Sequence, residues 1–371
     1  MLRNFESKEA LTRKKVALIG PISKGGGIAT VVNAMTSVDK IKIHYEVMFF
    51  NTSNYKDSTT VQNSIIFIQS ALNYFIKLVK HNIDLAHIHT SYGRSFYRKS
   101  VFILLSKLFK VKVILHIHSS KFDDFFIDAS GIRKKLIEFF FKKTDSVVLL
   151  CNDWMDKITK KYSIKNAVVI NNPVPFDLAK VKIGERKPTV DSITILFLGF
   201  LIKTKGIYDL IEIAQKLNGS PFTYKILVCG KGEEESSFVK KIKERYLDNI
   251  EYLGWVSGET KLDLFRTSDI FLLPSYKEGM PMVILEAMAF GLPIISTCIA
   301  GIPDMVKEGI NGYLLESGDI DGFVEKIKIL SLDKPLRETF GNESRNLVKC
   351  FDKEKISEKW DILYKETLGV T

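Results

Sequence analysis

The amino-acid sequence predicts an α/β protein with two doubly wound domains that face each other across a cleft. Short apolar runs rich in β-branched residues alternate with amphipathic runs of helical period. The alternation restarts in the middle of the chain, after a polar stretch that contains prolines. Nearly continuous apolar runs separated by helices are typical of parallel sheets that are covered on both faces. The 371 residues are also enough for about two domains.

The first domain is predicted over residues 1–175. A glycine loop follows its first apolar run and opens a helix at about residues 28–35. The clearest strands are predicted at 15–20, 85–89, 111–118 and 146–151.

The second domain is predicted over residues 193–350, after a linker at 176–192. The final segment, residues 351–371, has the periodicity of a helix. The strands of the second domain are predicted at 193–200, 224–229, 270–273 and 292–296, with a helix at about 207–217 after the first of them.

Charge is distributed unevenly between the two halves of the chain. Residues 1–190 carry a net charge of +16 and the remainder a net charge of −5. In the basic half, Lys and Arg are interleaved with large apolar residues. This pattern is compatible with solvated helix faces, with a surface that meets anionic lipid headgroups, or with a site for an anionic acceptor. Nucleic acid is not an expected partner, because no helix-turn-helix, RNA-recognition or zinc-finger pattern is present.

The cysteines and the hydropathy suggest a location in the cell. The four cysteines lie far apart, which supports neither a disulfide framework nor a zinc ribbon. Residues 1–15 lack the apolar core of a signal peptide, and no stretch approaches the roughly 18 uninterrupted apolar residues of a membrane span. We therefore expect a cytoplasmic protein, peripheral at the inner face of the membrane.

The most informative segment follows the strand that ends at Pro274. Glu278 precedes Gly279, and a helix is predicted to run from there to about Phe290, so that backbone N–H groups at its start can hold an anion. Glu286 comes eight residues after Glu278 and can accept hydrogen bonds from a vicinal diol such as that of a ribose. Taken alone, the two glutamates could equally be ordinary acids at a helix start and on a surface.

The context of these glutamates resembles the C-terminal domain of glycosyltransferase family 4. The resemblance implies a GT-B fold, with two Rossmann-like domains, and a retaining transfer of a hexose from a nucleotide-diphosphate donor, which we expect to be UDP-linked. It also implies that the final helix packs back on the N-terminal domain. The matching elements are Pro-Ser-x-x-Glu-Gly at 274–279, Leu-Glu-Ala-Met-Ala at 285–289, Gly-Leu-Pro at 291–293, Ala-Gly-Ile-Pro-Asp at 300–304 and Asn-Gly-Tyr at 311–313, with Phe-Leu-Gly at 197–199, Lys-Gly at 205–206, Gly-Lys-Gly at 230–232 and Gly-Trp-Val at 254–256 upstream.

The resemblance implies a role for each matching residue. Glu278 would contact the donor sugar at the reacting face, Glu286 would bind the ribose hydroxyls, and Lys205 would neutralise the departing diphosphate. The family has Arg directly after the glycine of its first motif, whereas this chain has Phe200, and we expect Lys203 to supply positive charge instead. The other donor-binding residues are Gly199, then Gly26 and Gly27 at the phosphates, Gly230, Trp255 and Val256 around the base, and Gly279, Met280, Pro281, Met282 and Val283 with amides at the sugar and the diphosphate.

All six histidines lie at or before His118. His118 ends a strand and matches the strand-end histidine of the family, which implies hydrogen bonding to the donor sugar or stabilisation of charge in the transition state. His87 and His116 are expected to be structural. Residues two apart share one face of a strand, so each His-x-His pair could ligate a metal, but no histidine follows to complete such a site.

No metal and no other cofactor is expected, because Lys205 and helix dipoles can supply the positive charge. The Asp-x-Asp at Asp319 and Asp321 is interpreted as a helix start.

The segment after His89 opens a basic helix. We expect it to bind the acceptor, a glycan or a lipid-linked phosphate, through His89, Arg94, Arg98 and Lys99, although a solvated basic face remains open.

Two alternatives to sugar transfer share this architecture. A nucleotide-sugar epimerase would need further acid and base groups around the sugar. A binding or scaffold protein could keep the fold without catalysis, and Phe200 is the feature that favours it. A dinucleotide-dependent dehydrogenase is disfavoured, because no strict Gly-x-Gly-x-x-Gly follows a first strand.

Overall fold

A computed structural model describes residues 13–21, 27–54, 59–119, 121–181, 192–220 and 222–370 of the chain. It contains two six-stranded parallel sheets with helices on both faces. The predicted fold class is therefore confirmed. No helix in these ranges is long and apolar enough to cross a membrane.

The first sheet has the strand order β2-β1-β3-β4-β5-β6. Its winding direction reverses at β1, so that a crevice opens beyond the carboxyl ends of β1 and β3, where such sheets bind ligands. The strands are β1 (Lys14–Gly20), β2 (Tyr45–Asn51), β3 (Leu85–Thr90), β4 (Lys112–Ile117), β5 (Ser146–Leu149) and β6 (Ala167–Val169). The helices between them are α1 (Gly27–Ser37), α2 (Asp39–His44), α3 (Thr60–Val79), α4 (Arg94–Leu108), α5 (Gly131–Lys142) and α6 (Asn152–Lys161).

The second sheet has the order β12-β11-β10-β7-β8-β9 and reverses its winding between β7 and β10. The loops that follow these two strands, together with the helix after β10, hold most of the predicted donor residues. The strands are β7 (Ser192–Leu198), β8 (Thr223–Cys229), β9 (Ile250–Gly254), β10 (Ile270–Leu273), β11 (Ile294–Thr297) and β12 (Gly312–Leu315). The helices are α7 (Ile207–Leu217), α8 (Glu235–Glu244), α9 (Gly258–Thr267), α10 (Met282–Ala289), α11 (Ile302–Met305), α12 (Ile320–Leu332) and α13 (Lys334–Val348).

The last helix, α14 (Lys353–Leu368), lies on the first domain. Asp361 accepts hydrogen bonds from the Tyr45 hydroxyl at 2.9 Å and contacts His44 Nδ1 at 2.9 Å. The rings of Trp360 and Tyr364 are buried in a cluster with α1 and the first sheet. The end of the chain therefore ties the two domains together.

The domains also meet directly at the cleft. The Lys277 ammonium lies 2.5 Å from a carboxylate oxygen of Asp124, and the Asn172 side chain donates to the backbone carbonyl of Met280 at 2.9 Å. A Cβ atom on Gly279 would lie 2.8 Å from the indole of Trp154, so that only glycine allows this approach. These contacts place the loop after β10 against the first domain.

All eight strands singled out by the sequence are present, with bounds shifted by up to two residues. Four other strands, β2, β6, β9 and β12, were not predicted. β6 has three residues and β12 begins at a glycine, while charged residues interrupt the apolar runs of β2 and β9. Such strands are stabilised by pairing with a neighbour, which a local sequence pattern does not reveal.

Candidate active site

Glu278 forms the centre of the site, in the loop between β10 and α10. Its Oε1 atom lies 2.5 Å from Lys205 Nζ and accepts a hydrogen bond from the Ser275 hydroxyl at 2.8 Å. The Glu278 side chain is only 4% exposed and that of Lys205 only 16%. A carboxylate and an ammonium are therefore held together at the edge of the cleft, partly withdrawn from water.

The approach of Lys205 to Glu278 depends on Gly206. This glycine has φ +68°, and a Cβ atom there would lie 1.9 Å from the carbonyl oxygen of Pro274. Gly206 also ends the one-turn helix Lys203–Lys205 and precedes α7. Only glycine combines this backbone conformation with so close a contact, which explains the Lys-Gly pair in the sequence.

Glu286 lies on α10, with one carboxylate oxygen 2.6 Å from Lys261 Nζ on α9. Burial raises the pKa of Glu286, and the nearby Lys261 ammonium opposes that rise. The side chain is 10% exposed, so its carboxylate is pre-positioned rather than freely rotating. Lys261 had no predicted role, because nothing in its own helix marks it as the partner of a glutamate 25 residues later.

One detail of the prediction for the residues between the two glutamates is wrong: not all of them offer a backbone N–H group. Helix α10 begins at Met282, with Pro281 as its N-terminal flanking residue. Proline has no N–H group, so Pro281 cannot donate to a phosphate as the predicted run of amides required. Met280 is buried and contacts Asn172, while Met282 packs against the hydrophobic cluster of the first domain. The free amides at the helix start are therefore those of Met282 and Val283.

A second part of the site lies at the ends of β7, β8 and β9. Gly230 donates its N–H to the carbonyl of Gly254 at 2.8 Å, and a Cβ on Gly230 would lie 1.8 Å from the carbonyl oxygen of Gly199. Trp255 follows with a ring that is 41% exposed, while Val256 packs against the core.

The aromatic ring of Phe200 lies beside that of Trp255. The two ring centroids are 6.1 Å apart, and the Phe200 side chain is 38% exposed. Lys203, the expected substitute for the missing Arg, is 73% exposed and lies 3.5 Å from Glu234.

The glycine loop of the first domain is described only in part. Gly27 is the first residue of α1, with open space around the position of a Cβ atom. Gly26 lies outside the described residues.

Four histidines form a column at the carboxyl ends of β3 and β4. His89 Nδ1 lies 3.1 Å from His118 Nε2, and His87 Nε2 lies 3.3 Å from His116 Nδ1. The hydroxyl of Tyr364 on α14 lies 2.7 Å from His87 Nδ1. The column therefore links the last helix to the cleft.

Every imidazole of this column is electrically neutral at physiological pH. Burial, followed by the nearby Lys99 charge, lowers the pKa of His118 to about 3. Burial likewise holds the pKa values of His87, His89 and His116 well below the usual range. A neutral His118 can donate or accept one hydrogen bond at each nitrogen, but it cannot store a proton for acid catalysis near pH 7.

The ligand atoms of His87, His89 and His116 lie within 4.8 Å of one another, close enough to hold a metal ion. Both ring nitrogens of His87 already have partners, in Tyr364 and His116. The rings of His87 and His89 are stacked at 4.2 Å, an arrangement that points their nitrogens side by side rather than toward one point. The arrangement fits a hydrogen-bonded column better than a coordination shell.

The structure separates the predicted acceptor residues. The Arg98 guanidinium donates to the carbonyls of Thr52 and Asn63, at 2.7 and 3.1 Å, and so ties α4 to the start of α3. Arg94 is exposed at the start of α4. Lys99 is 5% exposed and donates to Ser95 Oγ at 2.9 Å, with no carboxylate within 4 Å in the described part of the chain. Burial, then the neighbouring Arg98 charge, lowers the pKa of Lys99 to about 7.

A cavity of about 230 Å³ lies between the domains beside Glu278. Glu278 lines this cavity, and its other charged residues had no predicted role, because they come from separate parts of the chain that only folding brings together. They include Lys121 and Asp124 from the loop after β4, Lys157 on α6, and Lys277 next to Glu278. Such a mixture of ammonium and carboxylate groups is suited to a polyhydroxylated ligand with both donors and acceptors.

Comparisons with known proteins show which proteins the chain is similar to. Residues 181–347 match the family model described as glycosyl transferases group 1. The amylovoran biosynthesis glycosyltransferase AmsD of Erwinia amylovora is 27% identical over 370 residues, which cover 94% of this chain and 99% of AmsD.

Two solved structures share the fold. Sucrose-phosphate synthase of Thermosynechococcus elongatus superposes with a TM-score of 0.78 at 17% identity, covering 96% of this chain and all of that one. Anabaena HepE in complex with UDP and glucose superposes with a TM-score of 0.74 at 15% identity, covering 95% of this chain and 100% of HepE.

Proposed function

The chain is a glycosyltransferase of the GT-B type whose C-terminal half belongs to the group 1 glycosyltransferases, and from this premise we propose its reaction. It transfers a hexose from a nucleotide-diphosphate donor, a UDP-sugar, to a cell-envelope polysaccharide or lipid-linked acceptor. The anomeric configuration of the sugar is retained. The protein is cytoplasmic and acts at the inner face of the membrane.

One observation carries this proposal. Glu278 and Glu286 lie at the same crevice of the second sheet, and a lysine holds each carboxylate, Lys205 at 2.5 Å and Lys261 at 2.6 Å. Two pre-positioned carboxylates can bind two sets of hydroxyls, those of a sugar and those of a ribose. Lys205, beside Glu278, and the start of α10, which precedes Glu286 in the chain, can supply positive charge to the diphosphate that would join the two.

The chemistry follows from these positions. During transfer the bond from the anomeric carbon to the diphosphate oxygen breaks, and the leaving diphosphate takes the electron pair. A bond from the acceptor oxygen to the anomeric carbon forms, and the acceptor hydroxyl gives its proton to the departing diphosphate oxygen. Lys205 offsets the charge that develops on the diphosphate, and Glu278 holds the sugar hydroxyls. His118 contributes hydrogen bonds as a neutral imidazole.

One solved structure supports UDP as the nucleotide, and two aromatic rings of this chain support the binding of a planar base. HepE, which shares the fold, has been solved with UDP and glucose. In this chain the exposed rings of Phe200 and Trp255 adjoin Gly230 at the base side of the site, where a planar base can stack. Phe200, which replaces the expected Arg, would then contribute to base binding, while Lys205 binds the diphosphate.

The acceptor class rests on the relatives and on charge. AmsD is named for the biosynthesis of the polysaccharide amylovoran. The first half of this chain carries a net charge of +16, which favours an anionic acceptor or one borne by an anionic surface. Of the predicted acceptor residues, Arg94 is exposed at the start of α4, where an anionic group can reach it. We propose that the reaction needs no metal, because Lys205 and the α10 N-terminus supply positive charge.

A donor screen tests the proposal. Purified protein is incubated in EDTA with UDP-, GDP-, ADP- and dTDP-sugars and a bacterial glycolipid extract, and nucleotide release and glycolipid mass are followed. The expected result is metal-free release of one nucleotide together with one added hexose in the lipid, with the donor's anomeric configuration. Release of no nucleotide, or transfer with inversion, would contradict the proposal.

A further inference from the structure

Helix α3 has two apolar stripes, and only one of them is buried. Tyr74 and Leu78 face the sheet and are fully buried. On the opposite side, large apolar residues recur at alternating steps of four and three positions, the spacing of one helix face. Each of them is 40–68% exposed: Val61, Ile65, Ile68, Leu72, Phe75, Ile76 and Val79.

The neighbouring helices extend this exposed apolar surface. Helix α4 packs beside α3 through the rings of Phe102 and Tyr74, with centroids 5.4 Å apart. Helix α5 packs on the other side of α4 through Phe140 and Phe96, at 5.9 Å. The outer side of α4 exposes Tyr97, Val101, Leu104 and Leu108, and that of α5 exposes Ile132, Leu136 and Phe139. Single exposed apolar residues are ordinary, but a continuous surface over three helices indicates a binding face.

The charge of this layer indicates what it binds. Helices α3, α4 and α5 contain nine Lys and Arg residues and a single acidic residue, Glu138. Lys77 and Lys135 are exposed within the helices, and Lys80, Lys110 and Lys143 are exposed just beyond the three helix ends. An apolar stripe bordered by cations, on helices too polar to span a bilayer, is the pattern of helices that lie in a membrane interface.

We infer that the outer face of α3, α4 and α5 seats the protein on an anionic membrane, with the α3 stripe inserted among the lipids. A second copy of the chain is a poorer occupant, because a symmetric contact would place the same basic surface against itself. The inference deepens the proposed function and rests on it for its purpose, since a membrane-borne acceptor is what the seated enzyme would modify.

Binding of this face to a membrane also sets the orientation of the cleft. Helix α3 starts at Thr60, shortly after the carboxyl end of β2, and α4 starts at Arg94, just after the carboxyl end of β3. Both helices therefore begin at the cleft edge of the sheet and run away from it. With these helices in the membrane plane, the mouth of the cleft lies beside the lipid headgroups, where a lipid-linked acceptor can enter without leaving the bilayer.

Vesicle co-sedimentation tests the inference on the full chain. The probes are phosphatidylcholine vesicles with and without phosphatidylglycerol, at low and high salt. The wild type should bind the anionic vesicles and be released by salt. The double variant Ile65→Asn, Leu72→Asn should bind at least about tenfold more weakly, because it removes inserted apolar area. The matched control is Ile310→Asn, Leu332→Asn, which changes two exposed apolar residues of the second domain and should bind as the wild type does.

A second set of variants tests the contribution of charge separately from that of apolar insertion. Lys77→Glu with Lys135→Glu should weaken binding by about 20-fold or more, at about fivefold for each lysine lost from an anionic surface. Lys243→Glu with Lys328→Glu, on exposed positions of the second domain, should leave it unchanged.

Three results would overturn the inference: wild-type binding that does not depend on phosphatidylglycerol, stripe variants that bind as the wild type does, or a wild-type dimer that the stripe variants dissociate. Thermal unfolding and UDP binding without vesicles show whether each variant is folded and whether the donor site works. Failure of the wild type to bind UDP would count against the proposed function, whereas the vesicle result would still test the membrane-binding face.

Discussion

Replacing Glu278 with glutamine separates catalysis from donor binding. The substitution keeps the volume and the hydrogen-bonding reach of the side chain but removes its charge. In the structure the Glu278 carboxylate accepts from Lys205 at 2.5 Å and from Ser275 at 2.8 Å. Lys205 has no other carboxylate within 4 Å in the described part of the chain, so Glu278→Gln leaves its ammonium unneutralised.

The two consequences have opposite signs. A hydrogen bond to a charged group contributes about 1.5–3 kcal/mol, so losing the carboxylate at the donor sugar should lower kcat by about 10- to 150-fold. The unneutralised Lys205 should attract the diphosphate more strongly, so UDP affinity should stay the same or rise. Because removing one partner of a buried pair costs up to about 3–5 kcal/mol of folding free energy, the variant's Tm must be measured as well.

The assay is steady-state nucleotide release, combined with calorimetric titration of UDP on the same preparations. Glu286→Gln serves as the matched control, because it should weaken UDP binding through the lost ribose contact. If Glu278→Gln lowered UDP affinity by the same factor as kcat in a folded protein, Glu278 would only support the loop. An unchanged kcat would remove Glu278 from the reaction.

Three further predictions follow from the histidine column and from Lys99. Tyr364→Phe removes the hydroxyl 2.7 Å from His87 Nδ1, and it should lower kcat several-fold without changing UDP affinity, measured by the same pair of assays. Acidification from pH 7 to 5 should destabilise the protein by about 2 kcal/mol through His118 alone, because its folded pKa is about 3 and the unfolded state therefore binds more protons in that window. In urea titrations His118→Gln should reduce this loss of stability by about that amount, while the other three histidines of the column keep their contributions. Because the folded pKa of Lys99 is about 7, the free energy of unfolding should rise between pH 7 and 10, by up to about 1.4 kcal/mol per pH unit. A Lys99→Met variant should lose this rise. If its free energy of unfolding changed with pH as steeply as that of the wild type, the burial of Lys99 would be contradicted.

The features that could be predicted from the sequence are those in which neighbouring residues act together. Strands such as β10 are continuous apolar runs, and Glu278 and Glu286 lie on one short segment whose motif spans adjacent positions. The helix α7 was predicted with both ends correct, because its apolar period is strong and Gly206 marks its start.

Other features depend on pairings between distant parts of the chain. Lys261 reaches Glu286 from another helix, and the histidine column depends on the register that sets His89 opposite His116 across two strands. The two stripes of α3 share one helical period, so the sequence could not indicate which stripe would be covered. That choice depends on packing against α4 and the sheet.

The most direct measurement of the central claim is calorimetric titration of UDP, GDP, ADP and dTDP in EDTA, on the wild type and on Glu286→Ala. We predict metal-free binding of UDP that is tighter than that of the other nucleotides. In the variant it should be weaker by about tenfold or more, the loss of charged hydrogen bonds to the ribose. Binding of none of the four nucleotides by a folded wild type, or equal binding by the variant, would contradict the assignment of this crevice as a nucleotide-sugar site.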